Sequence, residues 1–135
     1  MIQNLKRIDM EIIVPNDCGN APRKNFLKDY HIAMAKADLP FFEQHVADSI
    51  CWEIVGARFV ETKDNYLDAV QQYAFWNVGK MVIEAIITHG TDAAVYGTFT
   101  AADGGEFAFC DNYKFKGFKG FEVKSIKSFL INLSK

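Results

Sequence analysis

Asp111 stands in a row of aromatic residues, a place where a carboxyl group needs a partner or a purpose. The stretch Phe107-Ala-Phe-Cys-Asp-Asn-Tyr-Lys-Phe115 reads as a β-strand. Side chains alternate across a strand, so Phe107, Phe109, Asp111, Tyr113 and Phe115 share one face. Glu106, Asn112, Lys114 and Lys116 fall on the other, with Ala108 and Cys110 as its apolar members. Burial disfavours a carboxylate, so Asp111 is expected to titrate high unless it is hydrogen-bonded or opens on a cavity.

Other residues could share its chemistry. Trp52 and Glu53 are neighbours on a strand and must face opposite sides, so only one of them can reach the interior. If Trp52 is inside, Glu53 faces solvent or a second copy of the chain. His89 shares a strand face with Met81, Ile83, Ala85 and Ile87, and could reach the interior as an alternative base. A strand-end histidine before a glycine turn is also often half-exposed. His31 follows Tyr30 but turns away from it on a helix, which reads as a surface position. Cys18, Cys51 and Cys110 form no CxxC or His–Cys spacing, so no metal is expected, and free thiols fit a reducing cytoplasm.

These residues need elements to hold them. Ile8–Val14 is a short strand or an extended arm, and Pro15–Pro22 is a turn-rich loop with Asn20 as a candidate helix cap. A first helix runs to about Lys36, with Phe26, Leu27, Tyr30, Ala33, Met34 and Ala37 on one face. Asp38 ends it and caps Leu39–Val46. Asp48-Ser49 reads as a turn before the strand Ile50–Val55. A third helix follows from Asn65 to about Trp76, burying Tyr66, Val70 and Tyr73. Strands Lys80–His89, Ala93–Ala101, Glu106–Phe115 and Phe121–Leu133 then follow, separated by Gly90-Thr-Asp92, Asp103-Gly-Gly105 and Lys116–Gly120. Helices first and an antiparallel meander second make an α+β fold, with helices on one face of a curved sheet.

Composition sets limits. The chain has 135 residues, half of them hydrophobic, enough for one domain with a real core. A net charge of −2 gives no general pull toward nucleic acid or an anionic membrane. Lys114, Lys116, Lys119, Lys124 and Lys127 make the C-terminal hairpin basic, which reads as strand-edge protection. No stretch approaches the roughly 20 apolar residues of a membrane helix, and the charged N-terminus is not expected to be a secretory signal.

The order helix, helix, strand, helix, four antiparallel strands resembles the NTF2-like (SnoaL-like) cone fold. The local text carries the resemblance: Tyr30-His-Ile-Ala-Met-Ala-Lys-Ala-Asp-Leu39, Val46-Ala-Asp-Ser-Ile-Cys-Trp-Glu-Ile-Val-Gly56, Cys110-Asp-Asn-Tyr-Lys-Phe115 and Ile126-Lys-Ser-Phe129. It covers roughly residues 20–133, leaving residues 1–19 as an arm and 20–135 as one domain. The resemblance implies N-terminal helices packed on the concave face of a mainly antiparallel sheet, around an apolar interior.

Comparison with ketosteroid-isomerase-like members implies a catalytic trio. Tyr30 and Asp111 match the pair that binds an enolate oxygen, and Glu53 matches the base. The sequence departs from that pattern in three ways: Glu for Asp, Ile54 for Pro, and a turn one residue shorter. Met34, Trp52, Tyr73, His89, Phe107, Phe109 and Tyr113 would line the ligand site. The implied activity is a cofactor-independent isomerase, cyclase or dehydratase that moves protons on a small hydrophobic carbonyl compound. A non-catalytic ligand-binding or dimerisation domain is the alternative, and a homodimer is expected through the outer sheet face at Val82, Ile86 and Cys110.

Overall fold

The computed structural model of the protein describes residues 11–14, 21–73 and 78–134. The expected cap Asn20, most of the Pro15–Pro22 loop, Cys18, Trp76 and the side chain of Tyr73 lie outside the described residues.

In chain order the elements are β1 (Glu11–Ile13), α1 (Pro22–Lys36), α2 (Leu39–His45), β2 (Val46–Ile54), β3 (Arg58–Glu61), α3 (Lys63–Tyr73), β4 (Val78–His89), β5 (Asp92–Ala101), β6 (Glu106–Phe115) and β7 (Val123–Asn132). The strands form one open sheet in the order β1-β4-β5-β6-β7-β2-β3. β4 to β7 make an antiparallel meander, β1 and β2 join it in parallel, and β3 pairs antiparallel with β2. This is the α+β arrangement expected from the order of elements.

Local chemistry explains the helix boundaries. Pro22 occupies the first turn of α1, where a missing N–H is no loss. α1 ends at Ala37, whose left-handed backbone (φ 54°) lets its N–H close on the carbonyls of Ala33 and Met34. Asp38 then caps α2, accepting from the Phe41 N–H at 3.3 Å.

Two details differ from the sequence reading. β2 begins at Val46, so Asp48-Ser49 lies within a strand, at a register irregularity between Val46 and Cys51. β3 was not foreseen, because Arg-Phe-Val-Glu is too short to show a period. The basic hairpin also has a different explanation. β6 and β7 are interior strands, so their lysines protect no edge. Instead Lys114 pairs with Asp92 at 2.6 Å and Lys127 with Glu53 at 3.8 Å.

One irregularity of the sheet re-aims side chains near the site. β4 bulges between Ile83 and Ala85, and Gly97 of β5 sits opposite Ile83. A Cβ on Gly97 would collide with the Val82 carbonyl and press on Ile83 Cα at 3.1 Å. The close approach requires glycine, and bulge and glycine together curve the sheet. The bulge also reverses side-chain parity along β4, so Met81, Ile83 and Ile86 are buried while Ile87 and His89 are exposed.

The helices cover the inner face. Leu27, Tyr30, Phe42 and Tyr66 are fully buried there. The Arg23 guanidinium stacks on Phe115 at 4.1 Å and donates to the carbonyls of Gly90 (2.7 Å), Gly117 (2.7 Å) and Gly120 (3.0 Å), tying α1 to two loops.

Candidate functional site

The inner face of the sheet alternates as expected along β6 and β7. Phe109, Asp111 and Tyr113 point inward, opposite Leu130, Ser128 and Ile126. β2 continues these rows, with Trp52 beside Ile126 and Ile54 beside Ser128. Between this face and α1 lies a cavity of about 110 Å³. Apolar groups make most of its wall, including Met34 and Ala35 of α1, Trp52 and Ile54 of β2, Met81 of β4, Phe99 of β5 and Phe109 of β6. His31, Asp111 and Ser128 are the polar side chains on it, together with the Trp52 indole N–H.

Polar side chains adjoin one another at this end. The Trp52 Nε1–H donates to Ser128 Oγ at 2.9 Å. Ser128 sits directly across from Asp111 on the neighbouring strand and shares the cavity wall with it. His31 Nε2 is 2.8 Å from the Tyr113 hydroxyl and 3.6 Å from Asp111 Oδ2. The Asp111 side chain keeps 20% of its exposure, consistent with its place on the cavity wall.

Burial governs the charges. It raises the Asp111 pKa from 3.8 to about 6, with the neighbouring Ser128 side chain acting the other way. It lowers His31 from 6.5 to about 4. At pH 7 Asp111 is therefore mostly a carboxylate and His31 is neutral. The cavity's charge is set by one group.

The implied trio does not converge. Tyr30 is fully buried, does not line the cavity, and shares a 2.6 Å hydrogen bond with the equally buried Tyr66 hydroxyl. Burial pushes the Tyr30, Tyr66 and Tyr113 phenols upward, so all three stay protonated. Glu53 lies on the outer face, 43% exposed and facing Lys127, because β2 turns Trp52 inward. Among the expected ligand-lining residues, Met34, Trp52 and Phe109 reach the cavity. Phe107 does not, but stacks on the lining residue Phe99 at 5.1 Å. Tyr113 stands behind His31. His89 is exposed, carried outward by the β4 bulge.

His31 and Ser128 were not foreseen as site residues. His31 is only 4% exposed. Leu27, His31, Met34 and Ala35 recur at helical spacing, and that pattern could have revealed it. Ser128 carries the signal of inward parity between Ile126 and Leu130. Among the described residues, no group of three or more His, Cys, Asp or Glu side chains is placed to hold a metal ion.

The fold is that of the NTF2-like, SnoaL-like cone proteins. No family model matches the sequence, and no curated protein matches it. Solved structures do. An NTF2-like protein of unknown function from Cytophaga hutchinsonii is 20% identical, with a TM-score of 0.64 over 81% of this chain and 99% of that one. A protein from Shewanella denitrificans assigned as a SnoaL-like polyketide cyclase is 9% identical, with a TM-score of 0.67 over 82% and 91%. SalBIII, an epoxide hydrolase/cyclase-like enzyme in pyran ring formation in the polyether salinomycin, is 13% identical, with a TM-score of 0.68 over 81% and 90%. At these identities the likeness is one of fold.

Proposed function

We propose that the cavity binds a small, largely hydrophobic carbonyl compound and that Asp111 accepts a proton from it. The observation that carries this reading is one ionisable carboxylate on the wall of an otherwise apolar cavity. A base works best when its pKa lies near the working pH, and Asp111 at about 6 meets that condition. In the reaction, Asp111 takes a hydrogen alpha to the carbonyl as a proton. The C–H electron pair moves into an enolate, and the proton returns to the α carbon; in a substrate with a β,γ-double bond the ion is a dienolate, and return of the proton to the γ carbon gives the conjugated isomer. No cofactor enters this step. The enzyme-like names among the fold neighbours, a polyketide cyclase and an epoxide hydrolase/cyclase-like enzyme, agree with such chemistry.

The role of Asp111 here differs from the one the resemblance implied. An acid that donates to an enolate oxygen must be protonated at pH 7, and it needs a second donor beside it. Asp111 is mostly ionised at that pH, and Tyr30 is occupied by Tyr66. The cavity volume is of the order that takes a benzene-sized ring. The test is α-proton exchange of small cyclic ketones in D2O, followed by NMR. Asp111→Asn should lower the catalysed rate by about 10²–10⁴, and Glu53→Gln should leave it unchanged. An unchanged rate in Asp111→Asn refutes the assignment.

Non-catalytic ligand binding is the second reading. It is favoured by the Tyr30–Tyr66 pairing, which leaves no tyrosine pair to stabilise an enolate oxygen.

We also infer a homodimer through the outer sheet face. Tyr96, Cys110 and Phe129 lie side by side on adjacent strands, with Ile131 and Ile87 nearby. Phe129 is 43% and Ile131 59% exposed, making an apolar patch of the kind that marks an interface. Val82 and Cys110 belong to this face, whereas Ile86 is buried on the inner side. The half-exposed free thiols of Cys51 and Cys110 fit the cytoplasm as the compartment. Among the described residues no helix is long and apolar enough to cross a membrane.

A further inference from the structure

The polar end of the cavity contains a hydrogen-bond order that can be deduced from donor inventory alone. The indole N–H of Trp52 can only donate, so Ser128 Oγ accepts from it at 2.9 Å. A serine hydroxyl carries a single proton. With a lone pair of Ser128 Oγ committed to Trp52, that proton can turn to the carboxyl of Asp111, which faces Ser128 across the strand pair and lines the same cavity. The backbone fixes the geometry. Ser128 lies directly across from Asp111 on β6 and beside Ile54 on β2, with Trp52 two residues earlier on the same inward face. Ser128 is buried, so water does not compete freely for its hydroxyl.

We propose that Ser128 is a positioning residue for Asp111. Its hydroxyl, turned by the Trp52 indole, donates its only proton to the carboxylate and holds Asp111 in the ionised, proton-accepting form. A donor aimed at a carboxylate favours the charged state, which opposes the effect of the apolar wall. The Trp52–Ser128 pair thereby sets the strength of the base and occupies one of its lone pairs, leaving the others toward His31 and the cavity. When Asp111 takes a proton, this bond loses its charge assistance, so Ser128 also favours the return of the proton. The proposal rests on Asp111 being the proton acceptor, but it makes a claim about titration that needs no turnover.

The experiment is a ¹³C NMR titration of the Asp111 side-chain carboxyl in the full chain, with the signal assigned by its loss in Asp111→Asn. Wild type should show a midpoint near 6. Ser128→Ala should raise it by about one pH unit, and Ser128→Thr, which keeps the hydroxyl, should restore the wild-type value. Trp52→Phe, which releases the serine rotor, should raise it by a smaller amount and provides a second arm should Ser128→Ala fold poorly. An unchanged midpoint in Ser128→Ala overturns the proposal, and so does one in Trp52→Phe if that is the variant that folds. If the shifts appear but no ketone exchanges its α-protons, the catalytic reading fails and the role of Ser128 stands.

Discussion

Removing the charge of Asp111 should change how stability depends on pH, and the size of the change follows from the site. Asp111 titrates at about 6 in the folded protein against 3.8 ordinarily, because burial penalises the ionised form. The folded state therefore binds this proton more tightly than the unfolded chain does. Wild-type stability is highest, as far as this group is concerned, below pH 4 and is lost as pH rises from 4 through 6. At about 1.4 kcal/mol per pKa unit, the gap between the two values is worth about 3 kcal/mol. Asp111→Asn has no such term. Relative to wild type, the variant should gain about 2.4 kcal/mol of that between pH 4 and pH 7. Urea unfolding of both proteins at half-unit steps across that range measures the difference, and the other carboxylates cancel in it. His31 works in the opposite sense in both proteins. Its folded value of about 4 lies below 6.5, so its contribution is lost as pH falls through that window. Parallel stability curves for wild type and Asp111→Asn would refute the burial argument.

Three further outcomes follow from named contacts. Tyr30→Phe should cost about 1–3 kcal/mol by stranding the buried Tyr66 hydroxyl, and adding Tyr66→Phe should recover part of it; ketone exchange should be unaffected by Tyr30→Phe, since Tyr30 does not line the cavity. Gly97→Ala should lower stability by about 1–3 kcal/mol or more, because the new methyl meets the Val82 backbone rather than a mobile side chain; urea unfolding reads this directly. Phe129→Glu should convert a dimer to a monomer in sedimentation at micromolar concentration, and a wild-type monomer under those conditions would remove the interface claim.

The alternation of β6 made Asp111 legible before any coordinates, because a period of two needs no tertiary information. The same rule could not decide between Trp52 and Glu53. It says only that they face apart, and the choice depends on which side of β2 the helices cover. Of the two places expected for His89, the inner face and an exposed strand end, the second is the one it occupies, for a definite reason. A regular β4 would turn His89 inward, and the bulge between Ile83 and Ala85 reverses the parity. A narrow apolar stripe along α1 would leave His31 at the surface. The helix buries Phe26, Leu27, Tyr30, His31 and Ala33, an arc wide enough to include both members of the Tyr30–His31 pair. Tyr30 was matched to a ligand-facing role, but its hydroxyl meets Tyr66, a contact 36 residues away that no local pattern encodes.

The pH profile of α-proton exchange tests the central claim most directly. If the ionised Asp111 is the proton acceptor, the exchange rate of a small cyclic ketone should rise with pH through a midpoint near 6 and level off above it. In Asp111→Asn it should stay at background across the range. A wild-type rate that falls through pH 6, or a profile unchanged in Asp111→Asn, would contradict it.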